Sequence, residues 1–202
     1  MRILGLTGSV GMGKTTAAAM LRRMGVPVYD ADAAVHRMMS QGGIAVARVA
    51  ASFPGVVKGG AIDRAALGKR VFGNDAAMRR LEAIIHPLVR KDEDRFLSDM
   101  RRRSAKLVVM DVPLLFESGR QRRYDATMVV TAPEFLQRAR VLARPGMTRA
   151  VLAAIKARQM PDAEKRRHAD FIVPSGLGRA FTWRRLRQVL RALGAARRGG
   201  LN

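Results

Sequence analysis

Gly8-Ser9-Val10-Gly11-Met12-Gly13-Lys14-Thr15 follows directly on a short apolar run at residues 3–6 and fits G-x-x-x-x-G-K-[ST]. A buried strand, a glycine-rich turn and a helix, in that order, are what a phosphate-binding loop requires. Glycines at 8, 11 and 13 permit backbone angles that side chains forbid, so successive N–H groups turn inward around phosphate oxygens. The helix expected from residue 14 adds its positive end. Lys14 brings a point charge toward the β and γ phosphates, and the Thr15 hydroxyl is placed to ligate magnesium. The bland alternative is a glycine-rich turn with an incidental lysine, and the order of the elements argues against it.

Outward from the loop, apolar residues at 17, 20, 21 and 24 predict a helix over 14–24, ended by Gly25. A strand at 26–29 closes on Asp30-Ala31-Asp32. Helices are then expected over 33–39, 44–53, 64–72, 75–85 and 88–103, with breaks at Gly42-Gly43, Gly59-Gly60 and His86-Pro87. Strands at 107–110, ending on Asp111, and at 126–130 follow. Helices are expected over 133–143, 148–158 and 161–168, then a strand at 171–173, a helix over 179–193 and a mobile tail over 194–202. Near-continuous apolar strands alternating with helices argue for an α/β fold, a five-stranded parallel sheet covered on both faces. Ligands in such folds sit beyond the strand C-termini, so Thr7-Gly8, Asp30 to Asp32 and Asp111 are expected to converge at one edge.

A chain of 202 residues holds one good core, and 48% hydrophobic with 27% charged residues is ordinary for a folded protein. The absence of cysteine excludes disulfides and thiol metal sites and fits a reducing compartment. The longest apolar run, 107–116, is broken by Asp111 and far shorter than the roughly 20 residues that span a bilayer. Met1 leads straight into a strand rather than a signal peptide, so a cytoplasmic protein is expected. The 38 basic against 16 acidic residues give a net charge of +22, which attracts nucleic acid, acidic membranes or phosphorylated metabolites without choosing among them. Aromatic residues, at 5%, do not interleave with the arginines, so no specific nucleic-acid partner and no membrane partner is expected.

Transfer of a γ-phosphoryl group needs an acceptor in line and a group to receive its proton. Asp32, near the end of the second strand, is the expected base; Asp30 is the alternative, and a helix cap is open to both. Asp111 ends an apolar strand, where an acidic residue holds magnesium through water or simply caps the turn at Val112-Pro113. Arg138, Arg140 and Arg144 are expected on the helix that follows the fourth strand. Arg140 and Arg144 are four apart and so share a face, either closing over a triphosphate or facing solvent. His86, alone at a helix break, reads by itself as a structural histidine.

At this point the chain resembles the dephospho-coenzyme A kinase family of P-loop kinases. The matching motifs are Gly5-Leu6-Thr7-Gly8, Asp30-Ala31-Asp32, Ile62-Asp63-Arg64 with Leu67 and Val71-Phe72, and Leu81-Glu82 before His86-Pro87. They continue through Asp111-Val112-Pro113-Leu114-Leu115-Phe116-Glu117, Gln159-Met160-Pro161 with Glu164-Lys165, and Ala169-Asp170. The resemblance implies a single P-loop kinase unit, a three-layer sandwich whose core covers roughly 1–31, 106–132 and 169–193. A helical acceptor (CoA) domain over 32–105 and a small lid over 133–168 would be inserted in it. It also implies phosphorylation of the ribose 3′-hydroxyl of dephospho-CoA by ATP with magnesium, the last step of coenzyme A biosynthesis. Asp32 would then be the catalytic base, assisted by Lys14 and Arg140. ATP would be held by Gly8, Val10, Gly11, Met12, Gly13, Lys14, Thr15, Thr16 and Arg144, the metal by Thr15 and Asp111, and the acceptor by Asp32, His86, Leu114, Leu115 and Glu117. The chain departs from the family pattern at Pro145 and at Pro174-Ser175-Gly176. Another small-metabolite or nucleoside P-loop kinase and a nucleic-acid-binding ATPase are the competing readings, and a monomer is the favoured state.

Overall fold

The computed structural model describes residues 1–194, so most of the tail expected to be mobile, 194–202, lies outside the described residues. The chain divides into two compact units. One comprises Met1–Tyr29 and the chain from Met100 onward; the other is Asp30–Asp99.

The first unit is built on β1 (Arg2–Thr7), α1 (Lys14–Arg23), β2 (Val28–Asp30) and the later strands β5 (Leu107–Asp111), β6 (Ala126–Thr131) and β7 (Phe171–Pro174). The sheet order is β2-β5-β1-β6-β7, with β1 parallel to both β5 and β6 and β7 parallel to β6. Alternate residues Leu4 and Leu6, Leu107 and Val109, and Met128 and Val130 pack with Ala17 and Leu21 of α1. Leu186, Val189 and Leu190 of the closing helix α9 (Arg179–Ala192) complete that layer. The intervening residues, Gly5, Thr7, Val108, Met110 and Val129, are buried as well, which is why these strands read as unbroken apolar runs. Each fully buried leucine here is worth about 1.5–3 kcal/mol.

Between β6 and β7 run α6 (Glu134–Leu142), α7 (Arg149–Ala157) and α8 (Asp162–His168), and a 3-10 turn at Arg120–Arg123 precedes β6. Among the described residues no helix is long and apolar enough to cross a membrane. Gly5 marks the tightest packing under the loop after β5. A Cβ there would lie 2.6 Å from Leu115 Cδ1 and 2.8 Å from Tyr124 Cδ2. Gly5→Ala is therefore expected to destabilise the fold by about 1–3 kcal/mol, read as a lower denaturation midpoint.

The second unit contains α2 (Ala31–Met39), α3 (Val46–Ser52), β3 (Val57–Lys58), β4 (Ala61–Ile62), α4 (Arg64–Val71) and most of α5 (Asp75–Arg102). Two expectations are corrected here. Gly59-Gly60 is not a plain break but the turn of an antiparallel hairpin, both glycines taking positive φ, 58° and 76°, as a two-residue turn requires. Its two-residue strands are too short to show an alternating pattern. Nor does the chain break at His86-Pro87, since α5 runs through it for 28 residues. Pro87 removes one helical hydrogen bond, a loss of about 3 kcal/mol. Burial of Ala77 and Ile85 before it and of Leu88 and Val89 after it keeps the helix continuous.

Candidate active site

β1 delivers the loop. Thr7, fully buried, donates from Oγ1 to Pro113 O at 3.0 Å, which ties the start of the loop to the segment after β5. Gly11 and Gly13 take the left-handed conformation, φ 75° and 90°, and Gly13 is the residue from which α1 starts. Gly8 does not take a positive φ. It is required for close approach, because a Cβ there would lie 2.7 Å from Val130 O of β6. Thr15 and Thr16 stand exposed on the first turn of α1.

The Lys14 ammonium lies 2.5 Å from Asp111 Oδ1. Asp111 is 3% exposed and ends β5, so the sheet itself aims this carboxylate at the head of α1. Residues from later in the chain grip the loop backbone. Gln137 Nε2 of α6 donates to Val10 O at 2.8 Å, Gln159 Oε1 accepts from Val10 N at 3.2 Å, and Ser175 Oγ donates to Met12 O at 2.6 Å. Ala132 N approaches Met12 Sδ at 3.1 Å. A cavity of about 270 Å³ lies behind the loop, lined in part by Ser9, Met12, Gln137, Gln159 and Asp162. At its rim the Lys156 ammonium, 2.6 Å from Glu134 Oε1, holds that carboxyl below its ordinary range.

Arg140 reaches the loop. Its Nη1 donates to Ser175 Oγ at 3.0 Å and to Gly11 O at 3.4 Å, and its Nη2 donates to Ser175 O at 3.0 Å. Arg144 does not share its helix face, because α6 stops at Leu142. Pro145 and Gly146, with φ 73°, turn the chain away and leave Arg144 exposed. Arg138 is exposed too.

After β5, Leu114 is 43% exposed, whereas Leu115 is wholly buried against Gly5 and offers no side-chain surface to a ligand. Glu117 Oε1 accepts from Met160 N at 2.8 Å and lies 2.8 Å from Nζ of Lys165, itself 0% exposed. That second contact is ionic and falls off the hydrogen-bond axis. In the unit of 30–99, Asp32 is exposed on the first turn of α2, not at a strand end, and Asp30 caps that helix by accepting from Ala33 N at 2.9 Å. His86 is exposed on α5.

Four residues of this arrangement, Gln137, Gln159, Lys165 and Ser175, carry no assigned role in the sequence reading. Gln137 had a signal, a polar residue on the apolar face of an amphipathic helix, and at 3% exposure it has the partner such a residue needs. The charge is uneven between the units. Lys and Arg outnumber Asp and Glu by 27 to 7 in residues 1–29 with 100–202, and by 11 to 9 in 30–99, a net +20 against +2.

A glycine loop opening a helix at the C-terminal end of a parallel strand, its lysine seated on a carboxylate from the neighbouring strand, defines a P-loop nucleotide-binding protein. The family model described as dephospho-CoA kinase matches residues 2–177, and on that match the chain belongs to the dephospho-CoA kinase family. It is 64% identical to the dephospho-CoA kinase of Paramagnetospirillum magneticum over 166 residues, covering 82% of this chain and 78% of that one. With the dephospho-CoA kinase of Mesorhizobium japonicum it shares 58% identity, covering 88% and 89%. A crystal structure of a Thermus thermophilus protein superimposes with a TM-score of 0.83 at 36% identity, covering 95% of this chain and 96% of that one.

Proposed function

We propose that the protein transfers the γ-phosphoryl group of ATP to the ribose 3′-hydroxyl of dephospho-CoA, giving coenzyme A and ADP. The observation that carries this reading is the phosphate loop with Lys14 seated on Asp111, in a chain of this family. The N–H groups at Gly11, Gly13 and Lys14 surround the β-phosphate. Lys14 spans the β and γ phosphates, and Arg140 exchanges its contacts on Ser175 and Gly11 for the charge that develops on the moving phosphoryl group. Arg144, exposed beyond α6, closes on the nucleotide from solvent.

Asp32 accepts the proton of the 3′-hydroxyl as its oxygen bonds to the γ-phosphorus; the bond from that phosphorus to the bridging oxygen breaks, and ADP departs. The helical unit serves as the acceptor domain, contributing His86 together with Asp32. Leu114 offers its exposed face to the acceptor, with Leu115 and Glu117 anchoring the segment that carries it. Residues 133–168 act as the lid. As hard oxygen donors, the Thr15 hydroxyl and the Asp111 carboxylate would hold Mg²⁺. When bound, that ion offsets phosphate charge. The protein works on these substrates as a cytoplasmic monomer.

Purified protein given ATP, Mg²⁺ and dephospho-CoA is expected to form ADP and coenzyme A in equal amounts. ADP release that does not rise with dephospho-CoA, with no coenzyme A formed, would refute the proposal, and a panel of nucleosides and small alcohols in place of dephospho-CoA separates it from a kinase of other acceptors. RNA-stimulated hydrolysis that survives moderate salt would favour a nucleic-acid-dependent ATPase instead.

A further inference from the structure

Both ends of Val10 are held by glutamine side chains, and the two glutamines are held very differently. Gln137 is buried on α6, so the helix fixes it. Gln159 lies between α7 and α8, outside regular structure. Its neighbour supplies the constraint: Met160 N donates to Glu117 Oε1, and that same oxygen faces the Lys165 ammonium. Lys165 sits on α8 with no exposure at all, in a protein whose other cations overwhelmingly reach water. An ammonium is removed from water only at considerable expense, and an apolar residue of similar size would fill that space at least as well. Stability alone gives no reason for it.

We infer that Lys165 is a positioning residue for the phosphate loop. Its charge keeps Glu117 turned inward, Glu117 fixes the peptide of Met160, and the adjoining Gln159 is thereby held with its amide oxygen on Val10 N–H. The relay runs from α8, through the segment after β5 and the turn before α8, to the loop. It sets the shape of the loop, and a preshaped loop binds its anion without a further ordering penalty. The inference rests on the reading of that loop as the ATP cradle. It adds a remote residue to which no role in the reaction is otherwise given.

The test uses the full chain with Lys165→Met, Gln159→Leu and the two combined. ATP affinity is measured by calorimetry without acceptor, followed by steady-state kinetics. Each single variant is expected to weaken ATP binding and raise the KM for ATP by about tenfold, while in Gln159→Leu, which leaves Glu117 in place, the KM for dephospho-CoA moves less than twofold. The combined variant is expected to be no weaker than the worse single one, because both interrupt one relay. Unchanged ATP affinity in folded Lys165→Met overturns the inference, and so do losses that multiply in the combined variant. A general packing defect would lower the melting temperature and the active fraction without singling out ATP.

If Lys165→Met does not fold, Lys165→Met/Glu117→Leu exchanges the pair for apolar side chains and keeps the question open to measurement. It is expected to match Gln159→Leu in ATP affinity, and wild-type affinity in either overturns the relay. Protein that binds ATP normally but ignores dephospho-CoA would refute the proposed acceptor and leave this inference standing.

Discussion

Lys14→Met is expected to lower kcat/KM for ATP by a factor on the order of 10³, because it removes a fixed charge from where the transferring group gathers its own. The same change is expected to weaken the fold. Asp111 is 3% exposed and loses the ammonium 2.5 Å away, and breaking a buried pair from one side costs about 3–5 kcal/mol. The lower end applies, since the Lys14 side chain is 16% exposed and water reaches the pair. Adding Asp111→Asn to Lys14→Met is therefore expected to recover much of the stability and none of the turnover. Chemical denaturation and initial rates on the same preparations check both halves. A double variant as unstable as Lys14→Met alone would mean that Lys14 supports the fold by some other contact.

Asp32→Asn separates the two effects the other way. Asp32 is exposed on the first turn of α2, where a carboxylate gains about 0.3–1 kcal/mol from the helix dipole, so its replacement leaves the melting temperature nearly unchanged. Turnover is expected to fall by about 10² to 10⁴, the usual contribution of a positioned base, while ATP affinity stays within about twofold. Turnover near the wild-type rate would assign the proton to another group. Loss of ATP affinity with the rate per bound ATP preserved would make Asp32 a binding residue.

Features dictated by neighbours in the chain were legible from residues alone. The strands of the main sheet stood out because both their faces are buried, and the loop because strand, glycines, Lys14 and Thr15 are contiguous. Partners far apart in sequence were not legible. Gln159 and Val10 are 149 positions apart and Ser175 and Met12 are 163 apart, and no local pattern announces such a meeting. Pro87 misled because its local rule is strong and was outweighed by packing along both halves of α5. Arg144 misled in the opposite sense. A spacing of four implies a shared face only while the helix lasts, and Pro145-Gly146 directly after it was the sign that α6 does not reach so far.

β7 forms one outer rim of the main sheet, and such rims invite strands from other molecules to add on. Here Pro174 has no N–H to offer, and Arg185 Nε already donates to Ile172 O at 3.3 Å. The opposite rim, β2, is only three residues long. Neither border gives an incoming strand a continuous template, so the protein is expected to stay clear of fibrillar stacking even when concentrated.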